Sequence, residues 1–357
     1  MKIALATAAL LSLLFCGPML QAGTIRDDVA DANYLSLASM FQAAGRHNAG
    51  GSVCSATLIS DQWVLTAAHC VDINGDGIVD NPTGTNNSFV TSLGQTIAVS
   101  NIYVAPGWTG NLNNGSDIAL MKLVTPAIGI ATANIYRGNS ELGAMITMVG
   151  IGKTGTGQTG SYLGFGTTRA GQNTADAFGQ FLGAGNIGVT TLNDASSTSL
   201  LWDFDSPVTD LEHANTNTMS SVFEISSSDI PLSLEYSIAP GDSGGGNYLF
   251  ESGLWWLAGV TSGDTNIFNY PGALEAGNRD TYGDLNLVTR VSSFQGFIDG
   301  FVPASVPEPA TVSLLLIGSL GFVVRRIRTA TRRKLTCGIH PNVTGQSGIA
   351  VQNASEI

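Results

Sequence analysis

The sequence predicts a mostly β protein, and three observations predict it. Only 12% of the residues are charged. Glycine accounts for 44 of them, and Ser, Thr and Asn are abundant around recurring glycine-containing turns. That composition favours many short strands over long charged helices. At 357 residues with 43% hydrophobic side chains, the chain can bury a sizeable core in one large domain or two modest ones, which sets it apart from disordered chains.

Residues 1–22 have the build of a secretory signal peptide. Lys2 is followed by an apolar run from Ile3 to Phe15 and a small-residue exit at "LQAG". Export follows, and with it a compartment in which disulfides persist. Between Gly23 and Pro309 the chain has 8 Lys and Arg against 26 Asp and Glu, a net charge of −18, which argues against nucleic acid as a partner. Of the four cysteines, Cys16 lies in the leader and Cys337 near the C-terminus, which leaves Cys54 and Cys70 as the expected bridge.

The stretch "GSVCSATLISDQWVLTAAHC" contains two β-rich runs, "SATLIS" and "WVLTAA", separated by the turn residues Asp61 and Gln62. This hairpin is expected to end at His69, beside Cys70. A lone histidine at a strand end is usually structural or solvent-exposed, so this stretch alone does not assign catalysis to it. Next comes "DINGDGIVD", with Asp72, Asn74, Asp76 and Asp80 at positions 1, 3, 5 and 9 of a calcium loop, Gly77 at position 6 and the Ile78 carbonyl at position 7. Position 12 is Thr83 where a bidentate acid belongs. A weak structural calcium site and a solvated Asn/Gly turn both fit.

In "NNGSDIALMKL", Asp117 stands at the head of an apolar strand, where a carboxylate needs a partner because desolvating it alone costs several kcal/mol. Further on, the glycine-dense run "GKTGTGQTGSYLGFGTTRAGQN" reads either as an ordered insertion or as a mobile surface loop. "APGDSGGGNY" then sets Ser243 among glycines directly after Asp242.

His69, Asp117 and Ser243, in that order and within "TAAHC", "DIALMKL" and "GDSGGG", resemble the trypsin-like serine proteases of chymotrypsin fold. "MVGIGKTG", "LAGVTSGD" and "LNLVTRVSSFQGFI" extend the resemblance over about Thr57 to Phe301. The resemblance implies an all-β architecture of two antiparallel Greek-key β-barrels, residues 23–130 and 131–303, with the active site in the cleft between them and a short C-terminal helix. It implies that His69 is the general base, Asp117 its orienting carboxylate and Ser243 the nucleophile. The N–H groups of Gly241 and Ser243 would form the oxyanion hole. It assigns the primary substrate pocket to Ser237, Ser262, Asp264 and Asn286, a set that points to small or medium uncharged side chains. The chemistry requires no cofactor. In this family Asp242 pairs with an α-amino group freed by propeptide cleavage, usually at Ile-Val-Gly-Gly. That sequence is missing here, so a new end at Gly23, trimming to Ile25, or a different group must shape the loop.

At the C-terminal side, "VPEPATVSLLLIGSLGFVVRRIR" has two prolines, an apolar run from Ala310 to Val324, and Arg325, Arg326 and Arg328. At about 1.5 Å per residue the run covers about 22 Å of a hydrocarbon core of about 30 Å, which fits a temporary anchor. Segment 304–328 resembles the PEP-CTERM sorting signal of bacterial envelope proteins. The resemblance implies an exosortase-type processing enzyme as a partner, transient membrane anchoring through a transmembrane helix, and delivery to the cell envelope, surface or matrix. Residues 329–357 form a polar tail without an assigned role. The expected function is a secreted serine endopeptidase acting on a protein or peptide substrate. The alternative is a non-catalytic surface or matrix-binding module that keeps the fold.

Overall fold

A computed structural model of the chain describes residues 22–80, 84–181, 189–191, 197–207, 217–265 and 280–302. The leader up to residue 21, the sorting segment 304–328 and the tail 329–357 lie outside them. Among the described residues no helix is long and apolar enough to cross a membrane, and the expected anchor falls outside that set.

Six strands close into a barrel in the order Ala44–Ala49, Ser52–Leu58, Trp63–Thr66, Ala119–Leu123, Thr96–Val104 and Gly84–Val90, the last returning to the first. Every pairing is antiparallel. Alternation explains why these residues form strands: in Thr96–Val104 the side chains of Ile97, Val99 and Ile102 turn inward. They pack with Leu58, Val64, Phe89 and Met121 as the barrel core.

The second sheet departs from the expected barrel. Its main path runs Arg169–Thr174, Met145–Gly150, Gly246–Glu251, Leu254–Thr265, Leu285–Arg290, Ser199–Asp203, Ala177–Phe181 and Val189–Thr191, and Asn134–Ile135 pairs alongside Leu254–Thr265. It stays open as a half-barrel. Arg169–Thr174 runs on after two residues into Ala177–Phe181, whose Ala177 pairs with Leu201 and Phe178 with Leu200, so the two ends of the sheet path are joined by a bend of the chain and not by a ladder of their own. Ile146, Met148, Trp202, Leu249 and Val288 fill its inner face.

A four-stranded sheet orders the first part of the glycine-dense run. Gly160–Leu163 pairs with Thr154–Thr156, which lies parallel to Gly23–Ile25, which in turn is antiparallel to Tyr236–Ser237. The expected C-terminal helix is present at Gln295–Asp299 after a tight turn at Val291–Phe294. Two hydrogen bonds from Arg137 to Asp299 tie it down, and Phe301 stacks beside Trp63 and Tyr103 of the closed barrel.

Candidate active site

The strand carrying "WVLT" ends at Thr66, three residues before the expected end of the hairpin, and His69 sits instead on a tight turn, Ala68–Cys70. The turn forms because Cys70 and Val71 donate back to the carbonyls of Ala67 and Ala68. The bridge between Cys54 and Cys70 ties it to the strand Ser52–Leu58. Closing a loop of this length contributes about 3 kcal/mol in the chain-entropy account.

Asp117 is wholly buried. Its Oδ1 accepts the His69 backbone N–H at 2.9 Å, and its Oδ2 lies 2.7 Å from His69 Nδ1. Ser262 Oγ, 145 residues along the chain, donates to the same Oδ2 at 2.5 Å. With three donors converging, the desolvated carboxylate is compensated. The contact places a proton on Nδ1 and leaves Nε2 to accept another. Burial works against the protonated His69 ring, but the charge and hydrogen bond of Asp117 outweigh it and raise its pKa above the ordinary histidine value.

Ser243 occupies the tip of the glycine turn. Gly241 has φ +99°, and a Cβ there would stand 2.9 Å from the Gly152 Cα, so only glycine fits. Ser243 donates no hydrogen bond to His69 Nε2 here; such bonds often tighten only when substrate binds. Asp242, for which sequence reasoning anticipated a salt bridge, has only neutral donors: Gly152 N at 2.7 Å, Ala239 N at 2.9 Å and the Tyr236 hydroxyl at 3.3 Å. Burial pushes its pKa up to about 7, against the pull of those hydrogen bonds.

The pocket residues divide. Ser237 and Asn286 are joined by the Ser237 Oγ–Asn286 Oδ1 hydrogen bond at 3.0 Å, and Asp264 pairs with Asn286 across adjacent strands. Ser262 turns its hydroxyl to Asp117, a role that sequence reasoning missed and that nothing in its neighbourhood of the chain signals. In the Asp72–Asp80 loop, Asp72 accepts the N–H groups of Gly75, Asp76 and Gly77 and the Trp108 indole N–H. Asn74 Oδ1 accepts from Asp76 N, Asp80 Oδ2 accepts from Ile73 N, and Ile78 N donates to Asp76 Oδ1. Among the described residues, the potential metal-ligand atoms that gather in threes within 4.8 Å belong to Cys54, His69 and Cys70, and the disulfide consumes two of them.

Comparison with known proteins agrees with this geometry. Residues 32–180 match the family model Trypsin, a stretch that includes His69 and Asp117 and stops short of Ser243. Residues 305–328 match the PEP-CTERM protein-sorting motif, which indicates export and sorting to the cell envelope. The chain is 37% identical over 93 residues to chymotrypsin-like elastase family member 1 of Homo sapiens, covering 23% of this chain and 33% of that protein. It is 32% identical over 102 residues to brachyurin of Leptuca pugilator (28% and 44%) and 35% identical over 74 residues to ovochymase of Halocynthia roretzi (20% and 5%). The matched stretches thus span less than half the length of each of these relatives. The chain is similar to the trypsin family over residues 32–180, has a chymotrypsin-like fold, and matches the PEP-CTERM sorting motif at residues 305–328.

Proposed function

We propose that this chain is an exported serine endopeptidase that cleaves peptide bonds through an acyl-enzyme on Ser243. The observation that carries the reading is the contact of His69 Nδ1 with the buried Asp117, which leaves Nε2 as the acceptor of the ring. In the first step His69 Nε2 takes the proton of Ser243 Oγ as the oxygen attacks the scissile carbonyl carbon. The N–H groups of Gly241 and Ser243 donate to the oxyanion, and losing one such donor costs about 10²–10³-fold in rate. His69 then protonates the leaving amine, and water repeats the sequence on the acyl group. Ser237, Asp264 and Asn286 form the pocket for a small or medium uncharged side chain.

An exosortase-type enzyme cuts near Pro307–Pro309 in this reading, so that anchoring is transient and the body reaches the cell surface or its matrix. The Asp72–Asp80 loop takes calcium weakly. Its spacing and the wrapping of its backbone around Asp72 support that role, as does Gly77 at φ +85°.

The test is labelling of the purified chain with a serine-directed fluorophosphonate beside a Ser243→Ala control. Labelling that disappears in the control is the expected result. A folded chain that stays unlabelled would favour the non-catalytic matrix-binding module instead.

A further inference from the structure

Ser55 follows Cys54 directly and is 2% exposed. Its N–H donates to the Ser243 carbonyl at 2.8 Å. Its hydroxyl donates to the Gly241 carbonyl at 2.9 Å and accepts the Ile151 N–H at 3.0 Å. Because Ile151 supplies a donor to Oγ, the hydroxyl proton is directed to Gly241.

The peptide planes of the nucleophile loop can be followed one by one. The Pro240 carbonyl accepts from Lys153 N at 2.8 Å, which turns the Gly241 N–H the opposite way. The Asp242 carbonyl accepts from Gly245 N at 2.8 Å, which does the same for the Ser243 N–H. The plane between them, Gly241–Asp242, is held at its N–H by the Ala239 carbonyl and at its carbonyl by the Ser55 hydroxyl. Gly241 has a glycine's freedom to rotate, so this plane is the one that can turn and carry both neighbouring N–H groups off target.

We propose that Ser55 is a positioning residue for the oxyanion hole: its hydroxyl locks the Gly241 carbonyl from the closed barrel and so aims the N–H groups of Gly241 and Ser243. With Asp242 held by Gly152, Ala239 and Tyr236, the loop keeps its catalytic shape on neutral hydrogen bonds from inside the fold. This rests on the serine-peptidase reading above.

The experiment compares wild type, Ser55→Ala, Ser55→Gly and Ser55→Thr in the full chain. It measures the fluorophosphonate labelling rate, kcat and KM on a peptide that wild type cleaves, and amide hydrogen exchange over residues 239–245. The expectation for Ala is a kcat lower by about 10–100-fold, somewhat less than loss of a hole donor itself, with KM within about threefold. Faster exchange in the loop and recovery by Thr complete it. Gly keeps the backbone bond to Ser243 and lacks the hydroxyl, so it reads the same loss should Ala fail to fold. Wild-type kcat and exchange in folded Ala or Gly variants overturn the proposal and leave the peptidase reading standing. A wild type that neither labels nor cleaves overturns the peptidase reading first, and this proposal with it.

Discussion

Two sets of buried carboxylates in this molecule are treated in opposite ways. At Asp117, three donors meet two oxygens, and the group can serve as a fixed negative charge behind His69. In the half-barrel, Asp176 lies near Asp203, Asp205 and Glu235, the last three less than a tenth exposed. Among the described residues no salt bridge reaches them, and Asp205 Oδ1 and Glu235 Oε1 lack a hydrogen-bond partner. No three of these acids bring oxygens within 4.8 Å of one another. Protons therefore relieve the charge. Burial raises all four pKa values and is the largest cause in each, and neighbouring carboxylates add to it for Asp176, Asp205 and Glu235. The lesson is that burial alone does not make a carboxylate useful at neutral pH. The donors around it decide whether it works as a charge or holds a proton.

The largest effect is expected from breaking the satisfied site. Asp117→Asn keeps the shape but favours the wrong His69 tautomer, and kcat should fall by about 10⁴-fold with the fold retained, as circular dichroism and turnover would show together. A change of less than about tenfold would remove Asp117 from the mechanism.

The proton-holding set makes a prediction of opposite character. A carboxyl whose folded pKa lies above its unfolded value binds more protons when native, so its contribution to stability falls as pH rises through that interval. Asp242, pushed up to about 7, acts with the same sign. His47 opposes it at the acid end: burial lowers its pKa to about 4, so stability is lost as pH falls from its unfolded value of about 6.5. Over about pH 4–6.5 the five carboxyl groups outweigh this one imidazole, so Tm should already fall as pH rises above about 4 and keep declining toward pH 9. Asp205→Asn should flatten the decline and raise Tm at pH 8. A wild-type Tm that is level from pH 5.5 to 9 would sink the comparison. The smallest effect is expected at the Asp72–Asp80 loop, where calcium at about 1 mM should raise Tm by a few degrees and Asp76→Asn should abolish the rise. Equal Tm with calcium and with chelator would leave the loop a plain turn.

How much was legible depended on sequence distance. The Cys54–Cys70 bridge and the glycine at 241 could be read from the residue pattern, whereas the turn at His69 could not, since the apolar run "WVLTAA" continues past Thr66, where the strand ends. The second sheet was legible as antiparallel β, but the extent of its closure was not, because the partner of Ser199–Asp203 is set by long-range pairing. Alternation of apolar residues cannot say that Ala177–Phe181 arrives there. The order His69, Asp117, Ser243 pointed to the site through its motifs, while Ser262 and Ser55 carried no motif at all.

By itself the sequence determined a mostly β chain with one bridge, a glycine-lined serine and a sorting motif that indicates export, since each follows from local composition or spacing. Only the tertiary structure decided that the half-barrel stays open and that Ser262 supports Asp117. It alone showed that the Asp242 loop is held by neutral donors and that Ser55 grips Gly241 across 186 residues. Hydrogen bonds between distant segments exist only once strand register sets which backbone groups remain unpaired, and no local pattern encodes that register.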